Sequence, residues 1–273
     1  MIFHAHAPAP PLSHFVAQIW FCEGYAPAHE KERILPDGSI QIVINLRKDL
    51  TRFYDRRNTN ECKSLRGAVI SGAHSEFTVI DTAEQACVMG VQFKPGGAYP
   101  FLGMPANELR NRYIPLDALW GAGGIDLRNQ LLEASTPKAR FRIVEKALLA
   151  QASGSLAIHP ALKYALLEFQ NLPALRTISS VTHSIGISQR RFIQVFDERV
   201  GLTPKLFCRV RRFQSALRLI AKGGKIEWAD LAVDCGYFDQ AHFIHDFTDF
   251  SGFNPTAFLH HRTEHLNHVR LAE

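Results

Sequence analysis

The order of apolar and polar positions divides the chain into a β-patterned first part and a helix-patterned second part. Isoleucine stands at every second position at Ile40, Ile42 and Ile44, just after the turn-forming Pro-Asp-Gly of residues 36–38. This period of two residues predicts a half-buried strand. Similar short runs bounded by turn formers predict further strands at residues 17–22, 68–71, 77–81 and 87–93. Their spacing predicts a small antiparallel β-barrel or sandwich up to about residue 115.

Beyond Pro115 the apolar positions recur every three or four residues, which is the period of a helix. Helices are predicted at residues 125–134 and after the Ser-Thr-Pro of residues 135–137. A long helix is predicted to begin at Pro204, with apolar side chains on one side. The caps predicted for the later helices are Thr177, Ser188, Thr203 and Asp239.

These patterns predict an α+β chain of two domains, for which 273 residues provide enough length. Residues 1–152 are predicted to form a β-rich domain that ends in helices, and residues 153–158 a short linker. Residues 159–262 are predicted to form an all-α domain, and residues 263–273 a solvated tail that contains His265 and His268.

One pattern of glycine, phenylalanine and proline occurs twice in the helical domain. The first copy consists of Gly186, Phe192, Phe196, Gly201, Pro204 and Phe207, and the second consists of Gly236, Phe243, Phe247, Gly252, Pro255 and Phe258. From the first phenylalanine onward the offset between the copies is 51 residues (243 − 192). Two copies of a unit in which a short turn joins two helices predict a doubled helix-turn-helix, which is a DNA-reading architecture.

The two copies differ in charge. Residues 172–225 contain eleven lysines and arginines against two acidic residues, a local charge of +9, within a chain of net charge +5. Residues 226–273 contain two arginines against eight acidic residues, a local charge of −6. Because lysine and arginine attract phosphates, the basic footprint of a DNA-binding protein lies on the first copy.

The candidate base-reading residues follow from the geometry of a helix-turn-helix, whose second helix lies in the major groove. With Phe192, Val195 and Phe196 predicted to be buried, the first unit presents Gln189, Arg190, Ile193 and Gln194. The equivalent face of the second unit presents Gln240, Ala241, Ile244 and His245. Arginine and glutamine match the edges of guanine and adenine, so the first unit is predicted to be the stronger reader. The candidate phosphate contacts are Ser188, Arg191, Lys205, Arg209 and Arg212.

The segments GISQRRFIQVF–GLTPKLF and WADLAVDCGYFDQAHFIHDFTDFSGFNP resemble the paired DNA-binding modules of the AraC/XylS family of bacterial transcription regulators. The resemblance covers about residues 160–262, and the N-terminal region resembles the barrel-like, cupin-like sensor domains of that family more loosely, at residues 35–38 and 90–109. It implies that residues 204–221 form a linker helix between two readers of double-stranded DNA. It also implies a small-molecule effector of unknown identity and self-association as a homodimer, and RNA polymerase is a further candidate partner.

Other chemistry is sparse in the sequence. The His4-Ala5-His6 motif lacks following ligands at metal-site spacing, so no metal and no cofactor are expected. Five scattered cysteines without a CxxC pair and the lack of a signal peptide or an apolar span predict a cytoplasmic, non-membrane protein. The expected function is therefore a sequence-specific transcription regulator without enzymatic activity. Two alternatives stay open: an enzyme whose barrel is localised to DNA by the helices, and a helical module that binds protein through its acidic second unit.

Overall fold

The computed structural model describes residues 1–152, 158–171 and 178–271. Most of the predicted linker (residues 153–157), the predicted cap Thr177 and the last two residues of the predicted tail lie outside the described residues. The described chain forms a domain of two antiparallel sheets with helices, followed by a domain of helices. The predicted fold class is confirmed.

Eleven strands are present among the described residues: β1 (Ile2–His6), β2 (Val16–Glu23), β3 (Lys31–Ile34), β4 (Gln41–Asn45), β5 (Thr51–Tyr54), β6 (Cys62–Leu65), β7 (Ala68–Ser71), β8 (Thr78–Asp81), β9 (Cys87–Phe93), β10 (Tyr113–Pro115) and β11 (His268–Arg270). Six of them form one sheet in the order β1-β2-β9-β4-β7-β10, and five form a second sheet in the order β11-β3-β8-β5-β6. Neighbouring strands are antiparallel. The strands predicted around residues 40–45 and at 17–22, 68–71, 77–81 and 87–93 are confirmed as β4, β2, β7, β8 and β9.

The α-helices of the described residues are α1 (Tyr99–Leu102), α2 (Leu116–Trp120), α3 (Ala122–Glu133), α4 (Pro137–Gln151), α5 (Pro160–Asn171), α6 (Ile178–Ile185), α7 (Gln189–Val200), α8 (Pro204–Ala221), α9 (Trp228–Asp234), α10 (Gln240–Ser251) and α11 (Pro255–His261). Helices α2, α3 and α4 contact the six-stranded sheet. The Thr136 side chain accepts a hydrogen bond from the Ala139 N–H, which confirms the predicted start of α4. The predicted long helix is confirmed as α8.

The alternating pattern of β4 separates an apolar core from a cavity. Ile42 and Ile44 are buried in the core that also contains Leu127 and Leu148 of the covering helices. Gln41, which lies between Ile40 and Ile42 in the alternation, lines a cavity between the two sheets. The period of two therefore identified the strand correctly, but its polar side faces an internal space that sequence alone did not reveal.

The two copies of the repeat have the same interior. Phe196 and Phe247 are fully buried. Phe196 meets the ring of Phe207 edge-on at 5.5 Å, and Phe247 meets the ring of Phe258 in the same way at 5.2 Å. Edge-on contacts of this kind add to the stability from burial alone. The phenylalanines of the repeat thus form one aromatic core twice.

The segment after the helical domain returns to the first domain. Strand β11 pairs with β3 in antiparallel register, and His268 Nδ1 lies 2.8 Å from Glu32 Oε1. The prediction of a solvated tail was therefore wrong for His268, which is half-buried at the edge of the five-stranded sheet. Three residues of strand are too short to give a readable alternation, which explains the error.

Candidate DNA-binding face and ligand cavity

The first reading helix, α7, begins as the sequence predicts. Gly186 has a φ of 73°, a conformation that glycine adopts without strain, and it ends α6. Ser188 is the N-cap of α7 and accepts a hydrogen bond from the Arg191 N–H at 3.3 Å. The cap fixes where the helix starts, and so fixes which side chains occupy its first two turns.

The first reading face is open to solvent. Gln189, Arg190 and Gln194 are exposed, whereas Ile193 is half-buried and packs against the core. Gln194 accepts a hydrogen bond from Arg191 Nη1 at 3.1 Å and donates one to Glu198 at 2.8 Å. Within the described residues, Gln189 and Arg190 make no side-chain hydrogen bond or ion pair, so their donors are available to a ligand.

The second reading helix, α10, has the same start and a different surface. Asp239 caps it by accepting a hydrogen bond from the His242 N–H at 2.7 Å. Gln240, Ala241, Ile244 and His245 are all exposed, as the predicted face requires. Phe238, just before the cap, has 90% of its surface exposed, which sequence reasoning missed. This side of the second unit is therefore largely apolar.

Two of the candidate phosphate contacts have partners inside the protein. Arg209 on α8 lies 2.7 Å from Asp246 and 3.1 Å from Asp249, both on α10. Arg212 is also directed at Asp246, at 3.7 Å. The hydrogen bonds from Arg209 to Asp246 raise the pKa of the Arg209 guanidinium. Both arginines hold α10 against α8, a contact that the sequence prediction did not include, whereas Ser188, Arg191 and Lys205 are exposed.

Both reading helices are attached to the first domain at their C-terminal ends. Arg110 forms an ion pair with Asp197 of α7 and donates a hydrogen bond to the Gly201 carbonyl oxygen at 2.9 Å. Arg33 donates a hydrogen bond to the Ser251 carbonyl oxygen at the end of α10, at 3.0 Å. A cation at a helix C-terminus is favoured because the last carbonyls carry a partial negative charge. The two units are thus fixed to one domain at equivalent points.

A cavity of about 480 Å³ lies between the two sheets of the first domain. Its volume falls in the usual range for small-molecule sites, roughly 300–1,000 Å³. Its wall includes residues from both ends of the chain, among them Phe3 and His268. The described residues that line it are Met1, Phe3, Gln18, Trp20, Cys22, Tyr25, Ile34, Leu35, Pro36, Asp37, Ser39, Gln41, Ser71, His74, Thr78, Gln85, Val88, Gln92, Tyr113, His265, Asn267 and His268.

The pKa values of His74, which lines the cavity, and of Glu32, which is hydrogen-bonded to the lining residues Tyr25 and His268, are both lowered. Burial lowers the pKa of His74 to about 4, so its ring is neutral at pH 7, and its Nε2 is shielded from solvent without a hydrogen-bond partner. Burial would raise the pKa of Glu32, but hydrogen bonds from His268 and Tyr25 outweigh this effect and lower it. Glu32 therefore holds β11 to the wall as a buried carboxylate.

A single buried side chain joins the cavity wall to the helical domain. Gln214 of α8 donates hydrogen bonds to the Pro36 carbonyl oxygen and to Asn267 Oδ1, each at 2.9 Å. Pro36 and Asn267 both line the cavity. Sequence reasoning missed Gln214; a polar residue at an otherwise apolar position of α8 was the available signal.

Comparison with known families covers both domains. Residues 181–261 match a family model described as a helix-turn-helix domain, and residues 4–115 match one described as a domain of unknown function (DUF6597). The chain carries a C-terminal helix-turn-helix domain of the AraC type, which supports a role as a DNA-binding regulator. No curated protein matches the chain in sequence. No helix among the described residues has both the length and the apolar character to cross a membrane.

The chain is also similar to solved structures. ToxT from Vibrio cholerae has 10% identity, with 95% of this chain and 98% of that chain covered and a TM-score of 0.47. ToxT from Vibrio cholerae strain SCE256, bound to an unsaturated fatty acid, has 10% identity, coverage of 88% and 93% and a TM-score of 0.43. A DNA-binding transcriptional dual regulator from Escherichia coli K-12 has 20% identity, covers 40% of this chain and 96% of its own, and has a TM-score of 0.33.

Among the described residues, the candidate metal ligands at His6 and around His245 have other partners. His6 Nε2 lies 3.0 Å from Glu145 of α4. His245, Asp246 and Asp249 lie close enough to share an ion, but Arg209 already forms ion pairs with both carboxylates. This group is therefore best described as part of the contact between α8 and α10.

Proposed function

We propose that this AraC-type regulator recognises a specific DNA sequence chiefly through its first unit. The observation that carries the proposal is the pair Gln189 and Arg190, exposed, without internal partners and located in the first turn of a capped helix. A forked side chain at this position can donate two hydrogen bonds to one base, which discriminates against the other bases by roughly 1–3 kcal/mol. Gln194 is the third base-reading residue, whereas Ile193 packs against the core more than it contacts DNA.

The phosphate contacts that we propose are Ser188, Arg191 and Lys205. All three are exposed near the start of α7 or α8. Arg209 and Arg212 leave this set because both are ion-paired with acidic side chains of α10, Asp246 and Asp249. Each retained cation would release counterions on binding, which makes the affinity depend steeply on salt.

For the second unit we propose a weaker role in base reading. Gln240, Ala241, Ile244 and His245 offer one amide and an apolar surface, which suits thymine methyl groups. The acidic surroundings weaken attraction to phosphate. The same surface is suited to a protein partner such as RNA polymerase. We also propose that the protein acts in the cytoplasm and that it forms a homodimer.

The cavity between the two sheets is proposed as the site of a small-molecule effector. A ligand there would touch Pro36 and Asn267, which Gln214 ties to α8, the helix between the two units. An effector that favours one arrangement of this wall would therefore bias the position of α8. The division into a sensor domain (1–152) and a DNA-binding domain (159–262) is part of the proposal.

DNA recognition is tested by selecting bound sequences from a random duplex pool with the full chain. We expect one enriched sequence, and we expect gel-shift affinity for it to fall steeply between 50 and 200 mM salt. Lys146→Ala, at an exposed lysine of α4, is the matched control and should change neither result. Recovery of random sequences, or affinity that ignores salt, would refute the proposal.

The coupling is tested without knowledge of the effector. Thr78→Trp places a large side chain into the cavity, and we expect it to change DNA affinity by roughly fivefold or more, a typical size for allosteric coupling. Adding Gln214→Leu should reduce that change, because the leucine cannot donate to Pro36 or Asn267. An identical response with and without Gln214→Leu would exclude this route of coupling.

A further inference from the structure

The inner face of the six-stranded sheet carries a continuous polar row. The cross-strand partners run Gln18 to Gln92, Gln92 to Gln41, Gln41 to Ser71 and Ser71 to Tyr113. All five residues line the cavity. Directly paired residues of antiparallel strands lie within about 5.5 Å of each other, so the row forms one surface. Amides and hydroxyls offer both donors and acceptors along it.

Beside the polar row, the cavity wall is formed by aromatic side chains. Trp20 lines the cavity, and its ring stacks on Phe3 with centroids 6.2 Å apart. The Trp20 side chain lies over Gly90 of β9: a Cβ atom at that position would lie 2.2 Å from the ring. Glycine at this position therefore allows the indole to cover the strand and to present an apolar surface to the cavity.

The described lining contains neither lysine nor arginine. Met1 also lines the cavity, but it is 56% exposed, so water screens the charge of its α-ammonium. The carboxylate of Asp37 accepts hydrogen bonds from the Ser39 N–H, the Ser39 hydroxyl and Gln92 Nε2 at 2.7–3.0 Å. A ligand carboxylate would therefore lose its hydration without gaining a buried counter-charge, and a ligand ammonium would compete for an acceptor already in use.

The His74 ring packs against the Tyr113 end of the polar row, with ring centroids 4.7 Å apart. Its Nε2 has no hydrogen bond and is shielded from the cavity as well as from bulk solvent. The His74 ring therefore supports the row by packing, and the row itself supplies the polar groups for a ligand.

We propose that the cavity binds an uncharged, ring-containing molecule that carries both a hydrogen-bond donor and an acceptor. Its ring packs on Trp20, and its polar group bonds to the glutamine row. This inference rests on the proposed effector site and specifies the chemical class of its ligand.

The test compares matched probes on the full-length protein. Benzoic, naphthoic and 4-phenylbutanoic acids, their primary amides and the corresponding amines share three ring scaffolds and differ in the charge and the hydrogen-bonding groups of the head group. Binding is measured by ligand-detected NMR and by thermal shift at pH 7.5. We expect the amides to bind at least about tenfold more tightly than the acids, since the acids would bury an unpaired charge.

Two variants assign binding to the cavity. Gln41→Leu removes the centre of the polar row and should weaken amide binding about tenfold while leaving acid binding unchanged. Trp20→Ala removes the ring on which the ligand packs, and it is the test variant if Gln41→Leu does not fold. Acids or amines that bind as tightly as the amides, with loss in these variants, would overturn the ligand class and leave the effector site standing. Absence of binding by all probes, or binding that neither variant changes, would overturn both.

Discussion

The two helix-turn-helix units share one interior and differ on their surfaces. Phe196 and Phe247 occupy equivalent, fully buried positions and make equivalent edge-on contacts. On the reading face, the first unit has Arg190 where the second has Ala241. The comparison shows that the repeated residues specify the fold of a unit, whereas its chemistry depends on residues that the repeat leaves free.

The largest expected effect tests the shared interior. Phe196→Ala and Phe247→Ala should each lower the free energy of unfolding by about 3–5 kcal/mol, because each leaves a cavity in an aromatic core. Urea denaturation followed by circular dichroism measures the change. Because the two sites are equivalent, the two losses should agree closely, and a near-zero loss at either one would show that the interiors are not equivalent.

The second effect tests the difference between the reading faces. Arg190→Ala should remove roughly 1–3 kcal/mol of discrimination at one base position, since a bidentate contact is lost. Gln240→Ala, the change in the second unit at the position equivalent to Gln189, should alter the preferred sequence less. Both are measured by repeating the binding-site selection with each variant. An unchanged preferred sequence for Arg190→Ala, or a larger change for Gln240→Ala, would reverse the assigned roles.

A third, smaller effect tests the attachment of both units to the first domain. Arg110→Ala and Arg33→Ala each remove a charged donor from the end of a reading helix, and each should cost about 1–2 kcal/mol. Hydrogen exchange should increase locally, at the end of α7 for Arg110→Ala and at the end of α10 for Arg33→Ala. Arg66→Ala, at an arginine exposed beside Asp117, is the control and should change neither helix. Exchange that rises equally in both helices would mean that the attachments are not independent.

Sequence was sufficient for features that depend on local patterns. The caps Ser188 and Asp239, the bounds of α8 and the exposed reading positions follow from spacing and side-chain chemistry within a few residues. The phenylalanine repeat was equally readable, because burial of large apolar side chains follows the helical period.

Sequence was insufficient where distant segments meet. The pairing of β11 with β3 joins residues more than two hundred positions apart, and no local pattern encodes it. No local pattern indicates that Arg209 is paired either, because its partner Asp246 lies on another helix, α10. The polar row through Gln92 was hidden because glutamine in a strand is expected to face solvent, and only the second sheet makes that face internal.

The smallest expected effect separates a free cation from a paired one on the same helix. Lys205→Ala should lower the slope of log affinity against log salt by about 0.9, the value for one phosphate contact. It should weaken all DNA sequences equally, because phosphates carry no sequence information. Arg209→Ala should leave that slope nearly unchanged and instead destabilise the packing of α10 on α8. Gel-shift titrations at four salt concentrations, with urea denaturation of each variant, measure both quantities. If Arg209→Ala changes the salt slope as much as Lys205→Ala does, then the ion pair between Arg209 and Asp246 breaks when DNA binds. Arg209 would in that case be a phosphate contact, as the sequence alone predicts.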